Sequence, residues 1–307
     1  YNPSGNEDGY NTAIGMNAMF ATTTGTNNTA VGGKAMEDNT TGAQNTAVGT
    51  NALDANTTGG QNTALGEGAL KANTTASNNT AVGQEALKVN TTGASNTAVG
   101  KNALDANTTA NGNTAVGYAA LGANTTAGNN SAFGMNALLT NTTGTGNTAV
   151  GVEALKENTT ANYNTAIGYL ALKVNLAEHN TAVGRNALAA NTTGTYNTAV
   201  GAECADAITT GGQNTAVGYG ALDALTTGNQ NCAFGVQALG ANTAEHNAAF
   251  GWQALAGNTT GTYNIAVGAQ ALEANTTANH NIAVGYQALH VSTTAAQNTA
   301  VGHAAGS

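Results

Sequence analysis

The sequence predicts an all-β chain, folded as a parallel β-solenoid (a β-roll) of about 18 coils with a 17-residue repeat. Three observations predict it: one motif recurs at a fixed period, each copy carries a short β-branched run, and each copy carries a turn signal after it. The motif Asn-Thr-Ala-Val-Gly, or a close variant, begins at Asn11, Asn28, Asn45, Asn62, Asn79, Asn96, Asn113, Asn130, Asn147, Asn164, Asn180, Asn197, Asn214, Asn231, Asn247, Asn264, Asn281 and Asn298. Fifteen of the seventeen intervals are 17 residues, and those after Asn164 and Asn231 are 16. The unit reads Asn-Thr-Ala-Val-Gly-x-x-Ala-Leu-x-x-Asn-Thr-Thr-Gly-x-x, with its positions numbered 1 to 17 from the first Asn.

Each element of the unit has a physical reading. Asn-Thr-Ala-Val-Gly alternates over five positions and reads as a short strand. The middle segment x-x-Ala-Leu-x-x reads as a second short strand, giving a flattened two-strand coil; one helical turn is the alternative. Asn-Thr-Thr-Gly reads as a turn, with Gly supplying a positive φ. The Gly of position 5 occurs in all eighteen copies and suits a corner where φ is positive or two backbones nearly touch.

A unit this short buries nothing alone, but stacked copies bury a continuous core. At strand spacing, eighteen coils would make a rod about 85 Å long. Identical residues then lie above one another, so Asn and Thr ladders are expected. The invariant Asn of position 1, at Asn11, Asn28, Asn45, Asn62, Asn79, Asn96 and Asn113 and onward, is the expected structural ladder. In a strand, Ala of position 3 and Val of position 4 point to opposite faces. One face must meet water or another chain, and a long apolar strip favours lateral association into a trimer or bundle.

Composition narrows the function classes. Charged residues are only 7% of the chain, against roughly a quarter in typical domains. The chain is 41% apolar with a formal charge of −9, which argues against disorder. Seven basic residues disfavour nucleic acid as a partner. No apolar run is long enough to span a membrane, and no signal peptide is visible.

The Asn-Thr-Ala-Val-Gly-x-x-Ala pattern resembles the head repeats of trimeric autotransporter adhesins, which read Asn-Ser-x-Ala-Ile-Gly-x-x-Ala; similar repeats occur in phage tail fibres and bacterial surface proteins. Asn130-Ser131-Ala132-Phe133-Gly134 and Asn164-Thr165-Ala166-Ile167-Gly168 come closest. The resemblance covers nearly the whole chain, although this unit is longer and its Asn-Thr-Thr-Gly segment has no equivalent. It implies a left-handed parallel β-roll, trimerisation, an extracellular or cell- or virion-surface location, and binding to host matrix or cell surface.

Residues 1–10 read as a partial N-terminal coil, and 11–307 as one continuous solenoid ending in a partial coil. Ends without capping repeats would expose unpaired strand edges and favour head-to-tail stacking into a fibre, unless the sequence is a fragment whose caps are gone.

Chemistry-bearing residues are few. Cys204 and Cys232 lie two coils apart, about 10 Å on strand spacing and beyond disulfide reach. His179, His246 and His280 precede the Asn of position 1, and the first two mark the 16-residue coils, where a shortened corner turn is expected rather than a metal site. Periodicity leaves no unique constellation for catalysis, so no catalytic, cofactor-binding or metal residues are expected, and no enzyme. Asn-Thr-Thr matches the N-glycosylation pattern at Asn39, Asn56, Asn73, Asn90, Asn107, Asn124, Asn141, Asn158, Asn191, Asn258 and Asn275, with Asn27, Asn78 and Asn129 adding three more. The same asparagines equally suit a turn and a ladder, and the turn Thr hydroxyls suit O-linked sugar. A Thr column from Thr12, Thr29, Thr46, Thr63, Thr80 and Thr97 admits ice binding, but Cys232, Ala248, Ile265 and Ile282 interrupt it. Tyr118, Tyr169, Trp252 and Tyr286 after the Gly, and Tyr163, Tyr196 and Tyr263 before the Asn, suit sugar stacking or corner packing. The expected function is a self-associating extracellular structural fibre, with an adhesin or tail-fibre module binding carbohydrate or matrix as the alternative.

Overall fold

The computed structural model describes residues 9–307, so most of the expected N-terminal partial coil lies outside the described residues. It is all-β: eighteen three-residue strands, all parallel, form a β-solenoid with a 17-residue repeat. The chain divides into two compact units, Tyr1–Thr160 and Ala161–Ser307. The first holds β1 (Thr12–Ile14) through β9 (Thr148–Val150), and the second β10 (Thr165–Ile167) through β18 (Thr299–Val301). Within each unit every strand pairs with its sequence neighbour in identical register, as Thr46↔Thr63, Ala47↔Ala64 and Val48↔Leu65 show in the first, and Thr198↔Thr215, Ala199↔Ala216 and Val200↔Val217 in the second.

One coil, Asn62–Asn78, shows how the backbone groups are satisfied. Thr63 N donates forward to Asn79 O at 2.9 Å, and Gly66 N donates back to Val48 O at 2.8 Å. The segment after Gly66 is neither a second strand nor a helical turn, which corrects both sequence readings. It is a ribbon of three linked turns: Ala69 N to Gly66 O at 3.3 Å, Lys71 N to Gly68 O at 3.3 Å, and Asn73 N to Leu70 O at 3.1 Å. The amides between them leave the coil instead. Gly68 N reaches back to Thr50 O at 3.0 Å, and Leu70 N and Ala72 N reach forward to Ala86 O and Lys88 O, each at 3.0 Å.

This alternation requires positive φ at positions 7 and 9, as at Gly68 (φ 67°) and Leu70 (φ 51°). A positive φ at a third turn residue is the mark of a type II turn. Left-handed backbone costs a Leu about 1 kcal/mol, and the forward hydrogen bond of its own amide offsets that cost. The same pattern recurs in the second unit, where Leu272 has φ 52° and donates to Ala288 O at 3.0 Å.

The core is thin and regular. Ala of position 3, Ala of position 8 and Leu of position 9 are fully buried, as at Ala64, Ala69 and Leu70. Thr of position 2 and Val of position 4 point outward, so the strand face that meets solvent alternates hydroxyl and apolar columns. Position 5 must be Gly for both expected reasons. Gly49 has φ 134°, and a Cβ there would stand 2.6 Å from Gly66 O. The turn Gly of position 15 differs from expectation. No positive φ occurs at Gly42 or Gly59, and Ala76 fills the same place; the positive φ falls at position 17, as at Gln44 (61°) and Gln61 (60°).

Candidate functional site

Two buried asparagine columns hold each unit together, and they work differently. In the column of position 1, Asn45 N donates to Asn28 Oδ1 at 2.9 Å, while Asn45 Nδ2 crosses its own coil to Gly59 O at 2.9 Å. In the column of position 12, the side chains bond each other: Asn56 Nδ2 donates to Asn39 Oδ1 at 2.8 Å and to Gly59 O at 2.9 Å. Beside them Thr57 Oγ1 donates to the main-chain Thr74 O at 3.0 Å, so the Thr column bonds from hydroxyl to backbone and not from hydroxyl to hydroxyl as expected. Both asparagines are fully buried, and burying an amide is tolerable only when its hydrogen bonds are complete.

That placement bears on the eleven Asn-Thr-Thr asparagines. Asn39, Asn56, Asn73, Asn90, Asn107, Asn124, Asn141, Asn158, Asn191, Asn258 and Asn275 are all fully buried in the position 12 column. Nδ2 donates along this column, as from Asn90 to Asn73 Oδ1 at 3.0 Å and from Asn275 to Asn258 Oδ1 at 2.8 Å. A glycan on that nitrogen would abolish those bonds. The second Thr of the turn is exposed, as at Thr41, Thr58, Thr75 and Thr92, and in some coils so is the first, as at Thr159 and Thr226.

The column breaks in the second unit. Ile208 and Leu225 replace Asn in two successive coils and are fully buried, and Asn191 Oδ1 has no hydrogen-bond partner beside Ile208. Cys204 and Ala205 fill the Ala and Leu places of the first of these coils. The Cys204 thiol is buried, and burial pushes its pKa up to about 12, well above that of an activated thiol. Cys232 sits half-buried on the outward face of its strand, also with its pKa raised by burial. Both are free thiols.

The same coils bring Asp206 and Asp223 together at position 10. Partial burial, then the hydrogen bond and charge of Asp223, push the Asp206 carboxyl up to about 6. Elsewhere charges pair locally on the turn ribbon, Lys34 with Glu37 at 2.9 Å and Lys88 with Glu85 at 2.8 Å, and the His290 ring lies 2.8 Å from the Glu273 carboxylate of the preceding coil.

Three of the five histidines join aromatic stacks at the residue before the Asn of position 1. His179 lies between Tyr163 and Tyr196, with ring centroids 5.4 and 5.1 Å away; Tyr263 lies between His246 and His280 at 4.8 and 5.2 Å. The two 16-residue coils lose one residue in the turn, where Asn175 Nδ2 donates two residues on to Ala177 O rather than three. Among the described residues, no group of three or more His, Cys, Asp or Glu is placed to hold a metal ion, and no helix is long and apolar enough to cross a membrane.

The Thr column of position 2 lies on the outward strand face beside position 4, unbroken by apolar residues from Thr12 to Thr148 and interrupted at Cys232, Ala248, Ile265 and Ile282. Tyr118, Tyr169, Trp252 and Tyr286 at position 6 are exposed, as are Tyr163, Tyr196 and Tyr263. The carboxyl pair and the broken ladder escape a reading of single copies, but aligning successive copies shows both as departures in adjacent rows. The chain matches no protein-family model and no curated protein.

Proposed function

We propose that the chain is a non-catalytic structural element that assembles with copies of itself into an extracellular fibre or filament. The observation that carries this reading is the complementarity of the two sides of a coil. Gly66 N donates back to Val48 O just as Gly83 N donates back to Leu65 O, at 2.8 and 2.7 Å. A coil therefore presents to a following coil the same donors and acceptors that its predecessor presents to it, and a coil of another copy satisfies them equally. Such head-to-tail contacts propagate without closing.

The outward column of position 4 supports lateral association as well, as a trimer or bundle. Leu65, Phe133, Phe234 and Phe250 stand exposed along it, and a repeated apolar strip favours a partner over water. The resemblance to adhesin head repeats supports a location outside the cell or on a cell or virion surface. The exposed second Thr, present in the turns of the 17-residue coils, supports an O-linked glycan coat, which would keep a chain of low charge dispersed. A second reading, attachment of such a fibre to carbohydrate or matrix, is favoured by the exposed aromatic residues of position 6.

Electron microscopy with mass per length tests the assembly. Filaments longer than one chain, growing with protein concentration, are expected. Particles of a single chain at every concentration would sink the reading.

A further inference from the structure

Four successive coils of the second unit change their outer residues together. They carry β14 (Cys232–Phe234), β15 (Ala248–Phe250), β16 (Ile265–Val267) and β17 (Ile282–Val284). Here the column of position 2 turns from Thr to Cys232, Ala248, Ile265 and Ile282, and position 7 becomes an unbroken run of Gln237, Gln253, Gln270 and Gln287. Those amides bond along the stack, Gln253 Nε2 to Gln237 Oε1 at 3.2 Å and Gln287 Nε2 to Gln270 Oε1 at 3.0 Å.

Beside this amide rail, at position 6, an aromatic ring stands on every second coil: Tyr219, Trp252 and Tyr286, with Val236 and Ala269 between them. All three rings are about half exposed. Neighbouring rings one coil apart elsewhere in this unit lie 4.8–5.4 Å apart, so rings two coils apart stand about 10 Å apart, two strand spacings. Val236 and Ala269 keep Tyr219, Trp252 and Tyr286 from stacking on one another, and the row ends where Tyr286 meets the tilted ring of His303 one coil on, ring centroids 5.4 Å apart. No residue at positions 6 and 7 of the four coils is charged.

From this geometry we propose that the row Tyr219–Trp252–Tyr286, with its glutamine rail, binds an extended neutral β-1,4-linked polysaccharide lying along the stack. In such a chain alternate sugars are flipped, so the same C–H face returns every second ring, a repeat about two strand spacings long. The apolar sugar faces rest on the aromatic rings, and the ring hydroxyls meet the glutamine amides at the side, which offer both donors and acceptors. The carboxylates of Asp223 and Glu273 nearby at position 10 disfavour a polyanion. An α-1,4-linked chain coils and loses the match. The proposal rests on the reading of the chain as a carbohydrate-attaching fibre and is independent of filament growth, which microscopy scores separately.

Trp252 is the single tryptophan, so its fluorescence reports the site directly. The full chain is titrated with cellohexaose and, in parallel, with maltohexaose. Cellohexaose shifts the emission saturably and maltohexaose does not. Tyr286→Ala, at an exposed ring, weakens cellohexaose binding about tenfold, the weight of one aromatic contact. Tyr118→Ala, in the first unit and without an aromatic ring two coils on, leaves it unchanged, with circular dichroism confirming that both variants keep the fold. No response to cellohexaose, an equal response to maltohexaose, or unchanged binding in Tyr286→Ala overturns the proposal.

Discussion

Asn73 stands between two copies of itself: its Nδ2 donates to Asn56 Oδ1 at 2.9 Å, and its Oδ1 accepts from Asn90 Nδ2 at 3.0 Å. Both neighbours are fully buried, so neither can turn to water when Asn73 is lost. Asn73→Ala is expected to cost about 3 kcal/mol, the sum of two orphaned polar groups and a small cavity. The chain itself shows the way to relieve it, since Ile208 and Leu225 fill adjacent rungs with apolar side chains. The double change Asn73→Leu with Asn90→Leu should therefore cost less than the sum of the two single Leu changes. Denaturant unfolding of the four proteins in a double-mutant cycle checks this; strict additivity would contradict it.

Gly49 is held at φ 134° with Gly66 O against the place of its missing Cβ. Gly49→Ala meets both the strained backbone and the neighbouring coil, and about 3 kcal/mol or more of stability should be lost. Gly33 has open space where a Cβ would go, so Gly33→Ala serves as the control and should shift the midpoint little.

Asp206 has its carboxyl pushed up to about 6 by partial burial and by Asp223. A raised carboxyl favours the protonated native state, so its contribution is complete below the ordinary value of 3.8 and is lost as pH rises through about 6. Asp206→Asn should therefore stabilise the protein at pH 7, by about 1 kcal/mol after solvent screening of this half-exposed pair, and hardly at all at pH 3.5. Melting curves across that range check it; a gain of equal size at both ends would refute the assignment.

Phe133 and Val150 are exposed on the outward apolar column of the first unit. Phe133→Lys with Val150→Lys is expected to lower the mass of laterally associated particles in light scattering. Folding stability should change by about 0.5 kcal/mol or less, as for surface sites. Association unaffected by the two charges would place the lateral contact elsewhere.

The repeat made much of this fold legible, because each side chain whose neighbours are its own copies declares its environment eighteen times. Gly49 and Asn45 were readable in that way: one side chain, or one missing side chain, satisfies a demand that recurs in every coil. The turn ribbon was not readable. Its positive φ at Leu70 is set by bonds to Ala86 and by the packing of the coil, and nothing in a Leu side chain announces it. The turn Gly misled for the converse reason. Gly42 suggests a left-handed residue, but Ala76 at the same place shows that closeness to Asn39 and to the next coil is what keeps it small. Ile208, Leu225 and the Asp206–Asp223 pair became meaningful only when two adjacent copies were compared at one position, since each makes sense only beside its neighbour.

Fibre diffraction from an oriented sample measures most directly whether each residue rests on its copy one coil away. In-register stacking gives a strong axial reflection at about 4.8 Å, the strand-to-strand distance. An axial pattern near the pitch of an α-helix, about 5.4 Å, or no axial order at all, would contradict the stacking of coils on which the ladders, the turn ribbon and the aromatic row depend.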